Sequence, residues 1–277
     1  MEDSDCVRFL QQVLPRLRMR WAGFRKVRNQ VCKRIQRRIN ELDLPDVDAY
    51  RAYLESRKDE WPILDHCCRV TVSRFYRDRS VLEHVRDDVL PLLAGSVIHA
   101  GGHTLRAWSA GCAMGEEAYS LVLIWDRTIG RDYPQLDVRV TGSDIDRVLL
   151  QRATRACYSS GSVKALPDAW LRTAFSRNGS EYCLDPDLRS KARFIRQDIR
   201  HSTVEGPFHI VFCRNMAFTY FENVLQLETL ANIYEVLLDD GVLVIGGHEA
   251  LPAGYEGFEP WPGSRAIFRK AAATRSE

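Results

Sequence analysis

Leu105-Arg106-Ala107-Trp108-Ser109 runs straight into Ala110-Gly111-Cys112-Ala113-Met114-Gly115-Glu116-Glu117. A short apolar strand, a turn of small residues and a helical pattern from Gly115 to Ile129 make the opening unit of a parallel α/β sheet. The alternation continues downstream. Val138–Gly142 reads as a strand and Asp146–Cys157 as a helix, with strands at Arg193–Arg196 and His209–Cys213. A helix at Asn223–Leu238, an Asp240-Gly241 turn and strands at Val242–Ile245 and Ser264–Arg269 close the series. Between Phe175 and Leu184, Asn178-Gly179 is a hairpin signal, so a short β-hairpin insertion is expected at about residues 174–192. The fold class is a doubly wound α/β sheet over residues 96–277.

Residues 1–95 read differently, as a small all-helical domain. Val7–Leu17 is amphipathic. In Phe24–Leu42, Val27, Val31, Ile35 and Ile39 recur every four residues as one apolar stripe. The same stretch carries Arg25, Arg28, Lys33, Arg34, Arg37 and Arg38, and no acid occurs between Asp5 and Glu41. Asp46 follows Leu44-Pro45 as an N-cap. Shorter helices are expected at Asp46–Glu55 and Glu60–Cys68, and a longer one at Arg79–Leu93.

The 277 residues are 45% hydrophobic and 27% charged, enough for an apolar core without a metal or disulfide staple. No apolar run approaches the ~20 residues of a bilayer helix, and the start of the chain lacks the features of a secretion signal. The expectation is a cytoplasmic protein. A net charge of +2 excludes a polycation but not a local basic face. Eight cysteines are scattered without a C-x-x-C motif, so reduced thiols are expected. His99 and His103 lie in a Gly-rich stretch unsuited to a zinc site, and no metal is expected.

Ligands of open α/β sheets sit beyond the carboxyl ends of the strands. The first such end is the Gly111–Gly115 turn, where small residues let a ligand approach a helix N-terminus. Glu116 and Glu117 there disfavour a pyrophosphate and favour cationic or hydroxyl groups. The second strand ends at Asp144, placed to accept ribose hydroxyls. It lies 29 positions after Gly115, further than the ~20 of the dinucleotide fingerprint. A nucleoside joined to an amino acid, such as S-adenosylmethionine, fits both features. Glu116 and Glu117 also suit an ordinary first helical turn. Asp146 reads as a cap, Phe75, Tyr76 and Trp108 as core, and Cys112 and Cys213 as small buried residues.

The full set of motifs resembles the CheR-type methyltransferases, which methylate receptor glutamates with S-adenosylmethionine. Ser73-Arg74-Phe75-Tyr76-Arg77-Asp78 is similar to T-x-F-F-R-D. Trp108–Ser120 is similar to W-S-A-G-C-S-T-G-E-E-P-Y-S, Ser143–Asp146 to T-D-I-D and Phe212–Asn215 to F-C-R-N. Tyr158, Leu166-Pro167 and Gly247-His248 follow in order. The resemblance implies a Rossmann-like methyltransferase sheet that binds S-adenosylmethionine and its product S-adenosylhomocysteine. It implies cofactor contacts at Thr71, Ser73, Arg77 and Gly111. Glu117 would bind the methionine or ribose portion and Asp144 the ribose hydroxyls. Asp198 and Ile199 would flank the adenine, with Arg214 and Asn215 beside the transfer site. Arg77 and Tyr220 would orient the acceptor.

Three departures from the family pattern stand out. Arg214 to Glu222 is one residue longer than R-N-x-x-I-Y-F-D, so Tyr220 is open to a different direction. The late G-H-S-E is Gly247-His248-Glu249-Ala250. The hairpin lacks the loop with which some members dock a receptor's C-terminal pentapeptide, so tethering is not expected. The basic segment fits a solvated helix face or an acidic helical protein acceptor; nucleic acid is disfavoured for want of an aromatic platform. The expected activity is O-methylation of a protein glutamate. The alternatives are a small-molecule, peptide or RNA acceptor, and a cofactor-binding regulatory module with little turnover.

Overall fold

Strand β1 (Thr104–Ala110) lies third in a seven-stranded sheet in a computed structural model that describes residues 2–271. Residues 272–277 of the expected sheet domain fall outside the described residues. Around β1 stand β2 (Asp137–Asp144), β6 (Ala192–Arg196), β7 (Phe208–Phe212), β8 (Leu237–Val244), β9 (Phe258–Pro260) and β10 (Ile267–Lys270), in the order β6-β2-β1-β7-β8-β10-β9. The first five are parallel neighbours, and β10 runs antiparallel to β8 and β9. The order reverses between β2 and β7 on either side of β1, which sets the ligand crevice at the carboxyl end of β1. A second sheet, β3-β5-β4, is built from Cys157–Ser159, Glu181–Leu184 and Phe175–Asn178. Its β4–β5 hairpin turns at Gly179, at φ +61°, as Asn178-Gly179 predicts.

The chain divides into two compact units. One comprises Val72–Phe218 and Gln226–Glu277 and holds both sheets. The other comprises Met1–Thr71 with the returning segment Thr219–Leu225. The division falls before the expected boundary at 95, because Leu90–His99 packs on β1 as part of the sheet's helical cover.

In the helical unit the apolar stripe is real: Val31, Ile35 and Ile39 of helix Arg28–Glu41 are buried with Phe9, Leu10 and Val13 of helix Asp3–Val13. The expected Phe24–Leu42 helix is broken, however, into Trp21–Phe24 and Arg28–Glu41. Asp46 caps Val47–Ser56 by accepting from Ala49 N at 2.8 Å.

Two expectations are corrected. Cys6–Cys32 and Cys157–Cys183 are disulfide-bonded, leaving Cys67, Cys68, Cys112 and Cys213 free and buried. Each bonded pair is 26 residues apart, so only the fold brings it together; Cys157 and Cys183 are register partners on β3 and β5. The basic face is also smaller than the sequence suggests. Arg28 pairs with Asp3, Arg38 pairs with the buried Glu60, and Arg34 donates to the carbonyls of Cys67 and Arg69. Arg25, Lys33 and Arg37 remain exposed.

Candidate active site

The turn after β1 is tied to the end of β2. Gly111 N and Cys112 N both donate to Ser143 O, at 2.8 and 3.0 Å. Ala113 N donates to Asp144 Oδ2 at 2.9 Å, while Asp144 Oδ1 accepts from Asp146 N at 2.9 Å. Asp144 therefore organises the loop as well as presenting a carboxylate. Gly115 opens helix Glu116–Arg127 at φ +85°, and a Cβ there would meet the Phe194 ring at 2.9 Å and Ala153 Cβ at 3.0 Å. Only glycine lets the turn sit this close to the sheet. Asp146 caps helix Arg147–Arg155 through Val148 N and Leu149 N, as its sequence position implies.

Arg214, at the end of β7, is the hub. Its side chain is 2% exposed. One arm donates to Glu117 Oε2 at 3.0 Å; the other donates to Asp78 Oδ2 at 3.0 Å and to Arg77 O at 2.6 Å. Glu117 Oε1 accepts from Ser109 Oγ at 2.7 Å. Burial lifts the Glu117 carboxyl above the ordinary carboxylate value, against the pull of Arg214 and Ser109. Burial pushes Asp78 the same way, but Arg214, Asn215 and Gly247 outweigh it and hold Asp78 below its usual value. Asn215 donates through Nδ2 to Asp78, and its backbone N–H and that of Gly246 both donate to Glu249 Oε2 at 2.7 Å. Tyr76, Asp78, Ala113 and Asn215 all take positive φ, between +48° and +55°. Strained backbone of this kind collects where a site over-determines it.

The structure thus joins Arg77 through its carbonyl, Glu117, Arg214 and Asn215, with Gly111 and Asp144 on the adjoining turn. Ser73 shares the buried carboxyl of Glu116 with Ser162, whose Oγ donates at 2.9 Å. The guanidinium of Arg77 is turned to Val72 O, at 2.8 Å. Asp198 is gripped by Arg200 at 2.8 Å, beside the buried Ile199. Thr71 and Tyr220 belong to the helical unit. There the Tyr220 ring packs on Phe24 at 5.0 Å, and its carbonyl accepts from Arg20 N at 2.8 Å. Burial pushes the thiols of Cys112 and Cys213 well up, so neither is a nucleophile. Asp78 and Glu249 were not among the expected site residues. Asp78 closes the Ser73–Asp78 motif, and Glu249 sits one place before the acid of G-H-S-E.

Residues 71–267 match the family described as CheR methyltransferase, SAM binding domain. The chain belongs to the CheR methyltransferase family. It is 32% identical over 231 residues to chemotaxis protein methyltransferase 2 of Vibrio cholerae, covering 80% of this chain and 77% of that one. To the chemotaxis protein methyltransferase of Escherichia coli K12 it is 30% identical over 230 residues, covering 80% and 76%. As a CheR methyltransferase the chain is an S-adenosylmethionine-dependent enzyme. The site residues fit that cofactor. Asp144 at the end of β2 and Glu117 in the first turn of the helix after β1 are both carboxylates, which disfavours a pyrophosphate there. Beside Glu117, the buried Nε of Arg214 has no acceptor among the described residues. No described helix is long and apolar enough to cross a membrane, and no described cluster of His, Cys, Asp and Glu could hold a metal.

Proposed function

We propose that this CheR methyltransferase O-methylates glutamate side chains of an acidic, helical receptor protein. The observation that carries the reading is the Arg214 hub. It fastens the segment bearing Arg77 and Asp78 to Glu117 at the carboxyl end of β1.

When bound, S-adenosylmethionine supplies an electrophilic methyl group on a sulfonium. Asp144 would hold the ribose hydroxyls, and Glu117 the ammonium or ribose. Ile199 and Asp198 would flank the adenine, where an aspartate already neutralised by Arg200 suits an uncharged base. Thr71, Ser73, Gly111 and Asn215 would complete the contacts. A glutamate acceptor has an ordinary pKa of about 4.3 and is an anion at neutral pH, so no general base is required. The protein's task is alignment and exclusion of water. Arg77 would orient the acceptor carboxylate by exchanging its bond to Val72 O for one to the incoming oxygen. Tyr220 would act on the same acceptor from the returning segment.

The transferred label tests this reading. Methyl groups from labelled cofactor, incubated with membranes of the native host, should be released as methanol by mild alkali. Alkali-stable label would move the acceptor to nitrogen. Cofactor binding without transfer to any acceptor would leave a regulatory module.

A two-residue turn joins β4 to β5, so recognition should not depend on a tethering pentapeptide. Exposed Lys33 and Arg37, one helical turn apart, would instead face acidic acceptor helices within the ~8–10 Å reach of unscreened charge. Lys33→Glu with Arg37→Glu should raise the acceptor KM at low salt and flatten its salt dependence, because such charges govern encounter. S-adenosylhomocysteine affinity should stay unchanged by calorimetry. An unchanged KM would return this face to ordinary solvated surface.

A further inference from the structure

Parallel strands covered by helices on both sides carry apolar side chains on both faces. One face of β1, β2 and β6 departs from that rule. Leu105, Ala107, Val138 and Val140 are buried, whereas Arg106 and Arg139, between them in the alternation, are exposed, as is Arg193 on β6. Register sets Arg106 beside Arg139 and Thr141 beside Arg193. Alternate residues share a face, so three arginines stand on one face of three adjacent strands spaced about 5 Å apart. The face is open because the crossover from β6 to β7, residues 197–207, contains no helix. A parallel crossover ordinarily supplies a helix there.

The result is a cleft of about 430 Å³, lined by these arginines with Lys191, Glu205 and Phe208. That volume lies in the range of small-ligand sites, ~300–1,000 Å³. Its own acids do not balance its charge. Asp137 is shared by Arg139 at 2.8 Å and Lys191 at 2.6 Å. Arg193 donates to Thr141 Oγ1 at 3.0 Å, and neither it nor Arg106 has a carboxylate partner among the described residues. Like charges on neighbouring strands repel, and planar guanidinium groups match the oxygens of a phosphate.

We propose that this cleft binds a phosphate group, free or carried on a nucleotide-sized molecule, between Arg106 and Arg193. These residues lie toward the amino ends of β1 and β6, whereas the Gly111–Gly115 turn and Asp144 lie at the carboxyl ends. Phosphate and cofactor should therefore bind independently.

Calorimetry at low salt, on the full chain saturated with S-adenosylhomocysteine, tests the cleft with inorganic pyrophosphate and guanosine diphosphate. Guanosine serves as the uncharged control. Saturable binding of a phosphate probe is expected, with none of guanosine. Arg106→Ser and Arg193→Thr should each weaken it about tenfold or more, the scale of a charge-assisted hydrogen bond. Arg131→Ser, an exposed arginine outside the cleft, should leave it unchanged. Clearly tighter binding of the nucleotide would assign that source, and equal affinities would assign free phosphate. No saturable binding of either probe at millimolar concentration, or equal binding by the two cleft variants, would overturn the proposal. So would binding of a poly-glutamate peptide in preference to both phosphate probes.

Discussion

Arg214→Lys is expected to abolish most turnover and lower thermal stability together. The buried guanidinium serves Glu117, Asp78 and the Arg77 carbonyl at once. A lysine ammonium is a point charge on a flexible stem and cannot span the same fork. Whichever carboxylate it abandons is left buried and unpaired, a loss of about 3–5 kcal/mol when one partner of a buried pair is removed. For a domain of this size that is a melting-point drop on the order of 10 °C. If ~3 kcal/mol of it is felt in the transition state, kcat/KM falls more than a hundredfold. The effect carries a pH signature. Burial already holds Glu117 above the ordinary carboxylate value while Arg214 pulls it down. Without that pull Glu117 moves higher still, so it takes up its proton sooner as pH falls. Cofactor affinity in the variant should therefore decline at a higher pH than in the wild type. Wild-type melting temperature and turnover in Arg214→Lys would show that net charge alone is needed there.

Gly23→Ala should separate acceptor chemistry from cofactor binding. A Cβ at residue 23 would stand 2.2 Å from Thr219 O and 3.0 Å from Thr219 C. The obstacle is backbone, with no rotamer to turn aside, so the Thr219–Leu225 segment must shift. Overpacking costs typically 1–3 kcal/mol and sometimes more. The shift would disturb the Met19–Phe221 bridge, the bond from Arg20 N to Tyr220 O and the Arg18–Glu222 ion pair. If Tyr220 acts on the acceptor, kcat should fall and the acceptor KM should rise. S-adenosylhomocysteine affinity should hold, since Asp144, Glu117 and Arg214 belong to the other unit. Ala22→Ser, at an exposed neighbour, is the control. Unaltered acceptor kinetics in a Gly23→Ala protein with a lowered melting point would remove Tyr220 from the chemistry.

The sheet was legible because its signals are local. Most of its strands are short apolar runs set between helical patterns, and Asp146 and Asn178-Gly179 do what their residue types favour. The motif segments also announced which residues matter. What sequence could not supply was who holds whom. Arg214 and Asp78 are 136 residues apart, and Arg214 and Glu117 are 97 apart. No periodicity encodes such contacts. The same limit explains the basic face. Arg34 and Arg38 look solvent-facing from charge alone, but the carbonyls at the carboxyl end of helix Trp61–Cys68 and the buried Glu60 claim them. Short strands such as Cys157–Ser159 and Phe258–Pro260 were missed because three residues carry too little alternation to read.

The segment Thr219–Leu225 also sets a timetable for the nascent chain. Residues 1–71 are made well before Thr219–Leu225, so their unit is incomplete until residue 225 has been made. At translation rates of roughly 5–20 residues per second, that is a wait on the order of 10–30 s. Through that interval Phe24 and Met19 lack the partners they have in the finished protein. The helical unit is therefore complete only after four strands of the central sheet, β1, β2, β6 and β7, have been made. Residues 1–71 thus wait for a segment made about 150 positions later.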